Sequence, residues 1–188
     1  LKGTFEKPQY IAYVIIRSTP LILTGLSVAF AFRTGLFNIG AEGQFIIGAL
    51  VATILGIKLN LPIFIQIPII IILSTMIAGF YGGLSGYMKA KFGVHEVIST
   101  IMMNWIALYL SNYAVMSDFI HRPDTETTEF INPTGSITLF ENFKNSEAGL
   151  KWLEAHPTIS EFLRPPVNAG IFFAVVAVFT VWFILNRT

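Results

Sequence analysis

Polar side chains interrupt the apolar sequence between residues 33 and 44, in the stretch Arg-Thr-Gly-Leu-Phe-Asn-Ile-Gly-Ala-Glu-Gly-Gln. Asn38, Glu42 and Gln44 supply amide and carboxylate groups, and Phe37 supplies a ring that can stack on a planar ligand. Irregular backbone at membrane depth is tolerated only where protein or water satisfies its polar groups. The stretch therefore predicts a break in the helical backbone beside a polar cavity, with these four side chains as candidate substrate contacts.

Glu42 has a second interpretation. A carboxylate in the first turn of a helix meets unpaired N–H groups and the positive end of the helix dipole. Glu42 then only caps a helix that includes residues 45–57. Both interpretations remain open at this point.

Asn104 and Trp105 form a second polar and aromatic pair, in the uncharged run 97–117. Trp105 lies about eight residues from the nearest charged loop, deeper than an interfacial tryptophan normally lies. An asparagine at that depth needs a partner, which is either another helix or a substrate. We therefore add both residues to the candidate substrate contacts.

We predict no catalytic, metal or cofactor site. His95, His121 and His156 are far apart and lie in polar loops, and the chain has no cysteine. The glycines of 33–44 lack the Lys-Ser/Thr of a phosphate-binding loop and a βαβ context. We expect a protein that is not an enzyme and carries no cofactor, and a net charge of +1 gives no indication of nucleic-acid binding.

The composition indicates a membrane protein. The 188 residues are 54% hydrophobic and 12% charged, with a mean hydropathy of +0.67, whereas soluble domains are about 45–50% apolar and about 25% charged. The expected fold is an all-α polytopic transmembrane bundle. It has about five spans, listed by residue number: 15–32, 45–57, 59–88, 97–117 and 167–186. A turn at 58–62 joins the second and third spans.

Glycine spacing in the third span predicts close helix packing. Gly79 and Gly83, and then Gly82 and Gly86, have the GxxxG spacing that lets a neighbouring helix backbone approach.

Charge placement predicts sidedness. Short cytoplasmic loops favour lysine and arginine, so we expect 89–96 in the cytoplasm and the acidic stretch 117–166 outside the cell. The chain 1–188 is then one transmembrane domain with an inserted extracellular cap, 117–166. In that cap, Ser146 predicts a helix N-cap and Thr158 opens a capping-box spacing. The first residue is Leu, so we expect a piece of a longer chain with at least one span upstream.

Residues 19–44 and 91–106 carry a resemblance. Thr-Pro-Leu-Ile-Leu-Thr-Gly through Asn-Ile-Gly-Ala-Glu-Gly-Gln, with Lys-Phe-Gly-Val-His-Glu-Val-Ile-Ser-Thr-Ile-Met-Met-Asn-Trp-Ile, resembles permease subunits of ABC importers of the branched-chain amino acid and simple-sugar class. Within that class the chain is most similar to nucleoside permeases of Gram-positive bacteria. The resemblance implies import of nucleosides or related simple sugars across the plasma membrane.

The resemblance also implies partners. These are a second permease subunit, two cytoplasmic ATP-binding subunits that hydrolyse ATP, and an extracellular substrate-binding lipoprotein, besides the lipid bilayer and a small-molecule substrate. In such permeases the segment that docks the ATPase follows the span equivalent to 167–186. We expect that segment beyond Thr188, so that 1–188 alone would not transport.

Two other functions fit the residues. Broken helices with polar tips also suit an ion-coupled secondary transporter, for which Glu42 is the candidate ionisable group. Alternatively, the chain is a membrane assembly or scaffold protein whose functional part is the cap 117–166.

Overall fold

The computed structural model describes residues 7–138 and 141–187. Within them the regular elements are eight α-helices and one 3-10 helix, Pro133–Gly135, accompanied by two isolated β-bridges. The α-helices are α1 (Pro8–Arg33), α2 (Ala41–Lys58), α3 (Ile63–Phe92), α4 (Glu96–Val115), α5 (Glu141–Lys144), α6 (Glu147–Ala155), α7 (Pro157–Leu163) and α8 (Gly170–Arg187). The predicted all-α fold is confirmed.

Four helices are long and apolar enough to cross a membrane, namely α1, α2, α3 and α8. Helix α3 has 30 residues, about 45 Å at about 1.5 Å per residue, against a bilayer core of about 30 Å. Helix α4 occupies the remaining predicted span with 20 residues. It is not one of the four, because Asn104, Ser111 and Asn112 reduce its hydropathy. The protein is therefore a multi-pass membrane protein.

Helix α1 ends where its sequence lets the backbone turn. Gly35 has φ +78°, a conformation that glycine adopts without steric cost. Its N–H donates to the Phe32 carbonyl at 3.2 Å, and the Leu36 N–H donates to the Ala31 carbonyl at 3.0 Å. This pair of bonds is the Schellman pattern that closes a helix C-terminus. Residues 34–40 are consequently not helical, which confirms the predicted break.

The next two connections are also short. Helix α2 ends at Lys58 and α3 begins at Ile63, so the predicted turn at 58–62 is confirmed. Helix α3 ends at Phe92, and the following residue, Gly93, has φ +65° and donates its N–H to the Lys89 carbonyl at 3.0 Å. Helices α2, α3 and α4 are thus consecutive neighbours.

The chain divides into two compact units. One contains Leu1–Leu26 and Ile137–Thr188, and the other contains Ser27–Ser136. The predicted cap 117–166 is divided between them, and its residues 139–140 lie outside the described residues. A single cap domain remains a prediction.

The short helices test two predicted caps. The Ser146 hydroxyl accepts a hydrogen bond from the Gly149 N–H at 3.1 Å, so the predicted N-cap of α6 is confirmed. The capping box predicted at Thr158 is wrong. Helix α7 already begins at Pro157, with His156 at the N-cap position and no side-chain cap, because proline fixes φ at the helical value and favours the first helical position.

The predicted packing of α3 through its glycines is not made within the described residues. A Cβ added at Gly79, Gly83 or Gly86 would meet no atom within 4 Å. A Cβ at Gly82 would lie 2.5 Å from the amide nitrogen of Gln44. Gly82 therefore makes room for a polar side chain of α2 and not for a helix backbone.

A buried glutamine stabilises the α2–α3 turn. Gln66 is 0% exposed. Its oxygen accepts from the Leu61 N–H at 3.1 Å and from the Thr134 hydroxyl at 2.8 Å, and its nitrogen donates to the Leu59 carbonyl at 3.0 Å. One side chain thus pairs turn groups that have no helical partner.

Asn132 completes this arrangement from the segment that follows α4. Its side-chain nitrogen donates to the Ile57 and Leu59 carbonyls at 2.9 and 2.7 Å, and its N–H donates to the Gly56 carbonyl at 3.0 Å. The Gly56 and Ile57 carbonyls belong to the last turn of α2, which a helix leaves unpaired, and Leu59 directly follows that turn. The segment after α4 is consequently hydrogen-bonded to the α2–α3 turn.

We expect Gln66→Ala to destabilise the protein by about 2–3 kcal/mol, because it leaves the Leu61 N–H and the Thr134 hydroxyl without the acceptor that the buried Gln66 side chain supplies. Denaturation in detergent measures the change. Asn60→Ala is the matched control, since Asn60 lies in the same turn with an exposed side chain, and it should change stability by less than about 0.5 kcal/mol. Equal losses in both variants would contradict the assigned role of Gln66.

Candidate functional site

The non-helical residues 34–40 run beside the first two turns of α4. Three contacts follow one face of α4 at a spacing of four residues: Phe37 with Glu96, Gly40 with Thr100, and Gly43 with Asn104. Residues four apart lie above one another on a helix. Gly43, in the first turn of α2, therefore lies beside a point about 12 Å along α4 from Glu96, at about 1.5 Å per residue.

Asn104 caps α2 from a different helix. Its side-chain oxygen accepts from the Gly43 N–H at 2.9 Å, and its nitrogen donates to the Ile39 carbonyl at 3.2 Å. The first N–H groups of a helix have no partner within it, and unpaired backbone groups are costly in a membrane. The bond to Gly43 joins α4 to α2, as the helix–helix interpretation requires, and the bond to Ile39 reaches the non-helical stretch. Contact of Asn104 with a substrate remains a prediction.

Asn38 supplies a second, local cap. Its side-chain oxygen accepts from the Gly40 N–H at 2.8 Å, which forms an Asx turn immediately before α2. Glu42 lies exposed in the first turn of α2 and makes no capping hydrogen bond within the described residues. Since the two asparagines provide the caps, the Glu42 carboxylate remains available to a ligand.

Three of the predicted residues line one open pocket of about 190 Å³, between α2 and α4. Its lining consists of Glu42, Ile101, Asn104, Trp105 and Leu108. Trp105 is 54% exposed, and its ring stacks on Tyr109 with centroids 6.2 Å apart and planes 27° apart. The pocket combines a carboxylate, an amide and an aromatic face.

The other predicted residues lie elsewhere. Gln44 is directed towards α3, against Gly82, where the surrounding side chains leave no cavity. Phe37 stacks on Phe32, with centroids 4.7 Å apart and planes 16° apart. Asn38 is engaged by its own turn. The structure does not bring these three to the pocket, and their contact with a substrate remains a prediction.

Two of the pocket residues and one hydrogen bond that joins α3 to α4 were not identified from the sequence. Ile101 and Leu108 lie on the same face of α4 as Asn104, so helical spacing could have identified them. The Tyr81 hydroxyl donates to the Met103 carbonyl at 2.6 Å and ties α3 to α4. No sequence signal distinguished this tyrosine from other aromatic residues of the span.

An ion pair holds the α3–α4 turn, outside the predicted spans. The Lys89 ammonium lies 2.7 Å from the Glu96 carboxylate. The hydrogen bond from Lys89, helped by the N–H groups of Glu96 itself and of Phe37, lowers the pKa of Glu96 to about 2. The carboxylate thereby joins the turn to the start of the non-helical stretch.

We expect Gly43→Ala to destabilise the protein by about 1–3 kcal/mol, the usual cost of overpacking. The new Cβ would lie 3.1 Å from the Cα of Asn104 and 2.8 Å from its oxygen. Gly48→Ala on the same helix is the control, because its Cβ would approach only to 3.4 Å from Ala78. Alanine favours helix by up to about 1 kcal/mol over glycine, so the control should be neutral or stabilising. Thermal unfolding in detergent compares the stabilities of the two variants. A Gly43→Ala variant as stable as the unmodified protein would exclude the close contact between Gly43 and Asn104.

The Lys89–Glu96 pair predicts an acid-dependent contribution to stability. Because the pKa of Glu96 is lowered from 4.5 to about 2, its stabilising effect is complete above pH 4.5 and is lost as the pH falls towards about 2. An NMR titration of the Glu96 carboxyl carbon measures the pKa. Lys89→Met should raise it towards 4.5, and an unchanged value in that variant would show that Lys89 is not the cause.

Comparison with known proteins identifies the family to which the chain is similar. Residues 10–188 match the model of the branched-chain amino acid transport system permease component. The chain is 39% identical over 188 residues to the guanosine ABC transporter permease protein of Bacillus subtilis, covering 99% of this chain and 48% of that one.

Two further relatives have similar coverage. The nucleoside ABC transporter permease protein of Lactococcus lactis subsp. cremoris is 30% identical over 170 residues, covering 90% of this chain and 43% of that one. The glucose ABC transporter permease protein of Haloferax volcanii is 29% identical over 181 residues, covering 93% and 43%. The chain thus spans about half the length of these relatives. No solved structure matches it.

Proposed function

The chain belongs to the branched-chain amino acid transport system permease family, and from that premise we propose that it is part of the permease subunit of an ATP-driven ABC importer for nucleosides or related simple sugars. The observation that carries the proposal is the family match over residues 10–188. Similarity to a guanosine permease and to a nucleoside permease supports the substrate class. Because the chain spans about half of these relatives, the proposal concerns the whole permease.

The proposed importer needs further subunits. They are a second permease, two cytoplasmic ATP-binding subunits that supply the hydrolysis, and an extracellular substrate-binding lipoprotein. The proposed orientation in the plasma membrane places the turn 89–96 in the cytoplasm, supported by Lys89 and Lys91, and 117–166 outside. This chain contributes the path and not the energy source.

The proposed path passes the pocket of Glu42, Asn104 and Trp105. A carboxylate facing lipid is costly and is found instead beside water-filled cavities, which supports a path on this side of α2. The five lining residues include one acid and no base, so the path suits substrates that carry no negative charge. In this proposal the side chains of Phe37, Asn38 and Gln44 line the path outside the pocket.

We expect uptake to depend on ATP hydrolysis. In cells that express the full-length permease with its partners, a hydrolysis-deficient ATP-binding subunit should abolish uptake of labelled nucleosides and of glucose, since this chain is proposed to lack an energy source of its own. An ionophore should leave the initial rate unchanged while ATP is maintained. Uptake that survives the ATPase defect but stops with the ionophore would replace the proposal with an ion-coupled transporter.

A further inference from the structure

We propose that the pocket of Glu42, Asn104 and Trp105 binds the Watson–Crick edge of a purine base and selects guanine over adenine. This inference rests on the function proposed above and specifies its substrate. The inference is based on the hydrogen-bond donors and acceptors of Glu42 and Asn104 that are not used by contacts within the protein.

Trp105 provides the surface on which the base stacks. Its indole is 54% exposed within the pocket lining and is supported by the ring of Tyr109. Base–aromatic stacking is sequence-tolerant, because every base has a π face. The volume of about 190 Å³ is below the roughly 300–1,000 Å³ of pockets that enclose a whole ligand. The pocket therefore holds the base while the sugar remains outside.

The Glu42 carboxylate requires hydrogen-bond donors on the bound base. A carboxylate accepts hydrogen bonds and donates none, and at the start of α2 the backbone N–H groups of Gly40 and Gly43 donate to Asn38 and Asn104 and not to Glu42. The edge of guanine presents N1–H and an N2–H side by side, so both can donate to one carboxylate. Adenine presents a single amino group beside the lone pair of N1, which a carboxylate repels. Glu42 consequently favours guanine.

Asn104 discriminates in the same direction. An amide has two N–H donors and two acceptor lone pairs, and Asn104 uses one of each on Gly43 and Ile39. The remaining N–H donor matches the O6 acceptor of guanine, whereas adenine has an amino donor at that position. Because Asn104 is bonded to Gly43, next to Glu42 in the first turn of α2, the acceptor and the donor line the same pocket.

The test measures selectivity with Glu42→Gln in the full-length permease expressed with its partner subunits. Glutamine keeps the size of the side chain but places an N–H donor beside its acceptor, the arrangement that complements adenine. Initial uptake rates of labelled guanosine and adenosine give the ratio of their uptake efficiencies. We expect this ratio to fall about tenfold or more, since a good bidentate base contact contributes about 1–3 kcal/mol of discrimination and 1.4 kcal/mol is tenfold. Because damage to folding lowers both rates equally, the ratio is its own control.

Trp105→Leu provides a second readout. It should raise the KM for guanosine, because the base loses its stacking surface, while Trp182→Leu on α8, also an exposed tryptophan, should leave the KM unchanged. Normal nucleoside uptake with an unchanged guanosine-to-adenosine ratio in Glu42→Gln would overturn the inference and leave the proposed importer standing. Uptake of sugars without uptake of nucleosides would likewise overturn the inference and leave the proposed importer standing. A full-length permease that imports neither nucleosides nor sugars would overturn both.

Discussion

Backbone N–H groups at the start of α2 need acceptors that the helix itself does not supply and that lipid would not supply either. The side-chain oxygen of Asn38 accepts from Gly40, directly before α2, and that of Asn104 accepts from Gly43 in its first turn. The neighbouring features depend on this pairing. Gly40 and Gly43 have no side chain because α4 must approach closely enough for the amide to reach the backbone. That approach also places Trp105 beside the first turn of α2, where Glu42 is located, and so forms the pocket.

At the opposite end of α2, side-chain amides again bond backbone groups, and there they stabilise the α2–α3 turn. There Gln66 and Asn132 bond the carbonyls and N–H groups of the α2–α3 turn. Gln66 is fully buried, so its hydrogen-bonding capacity serves the fold. Asn104 instead lines an open pocket and retains unused capacity. One helix is therefore fixed by amides at both ends, and at one of these ends the amide also lines an open pocket.

The sequence predicted what spacing along a single segment can reveal. Charge-free runs indicated the long helices, and the glycines and polar residues of 33–44 indicated the break. The partners of each helix face were not predictable, because Gly43 and Asn104 are 61 residues apart and no local pattern reports which faces meet. The same limit explains why the glycines of α3 suggested a helix contact that the structure places at Gly43. Asn104 was singled out within its uncharged run because an asparagine at that depth in the predicted span requires a partner.

The contacts between the non-helical stretch and α4 also constrain the length of the chain. Connections between helices usually tolerate insertions and deletions, since lengthening a loop costs little entropy. Residues 34–40 are different, because Phe37, Gly40 and Gly43 must coincide with every fourth residue of α4. One residue added or removed there would shift Gly43 off Asn104 and remove the acceptor of its N–H. The length of this connection is consequently as constrained as the identities of its Gly35, Asn38 and Gly40.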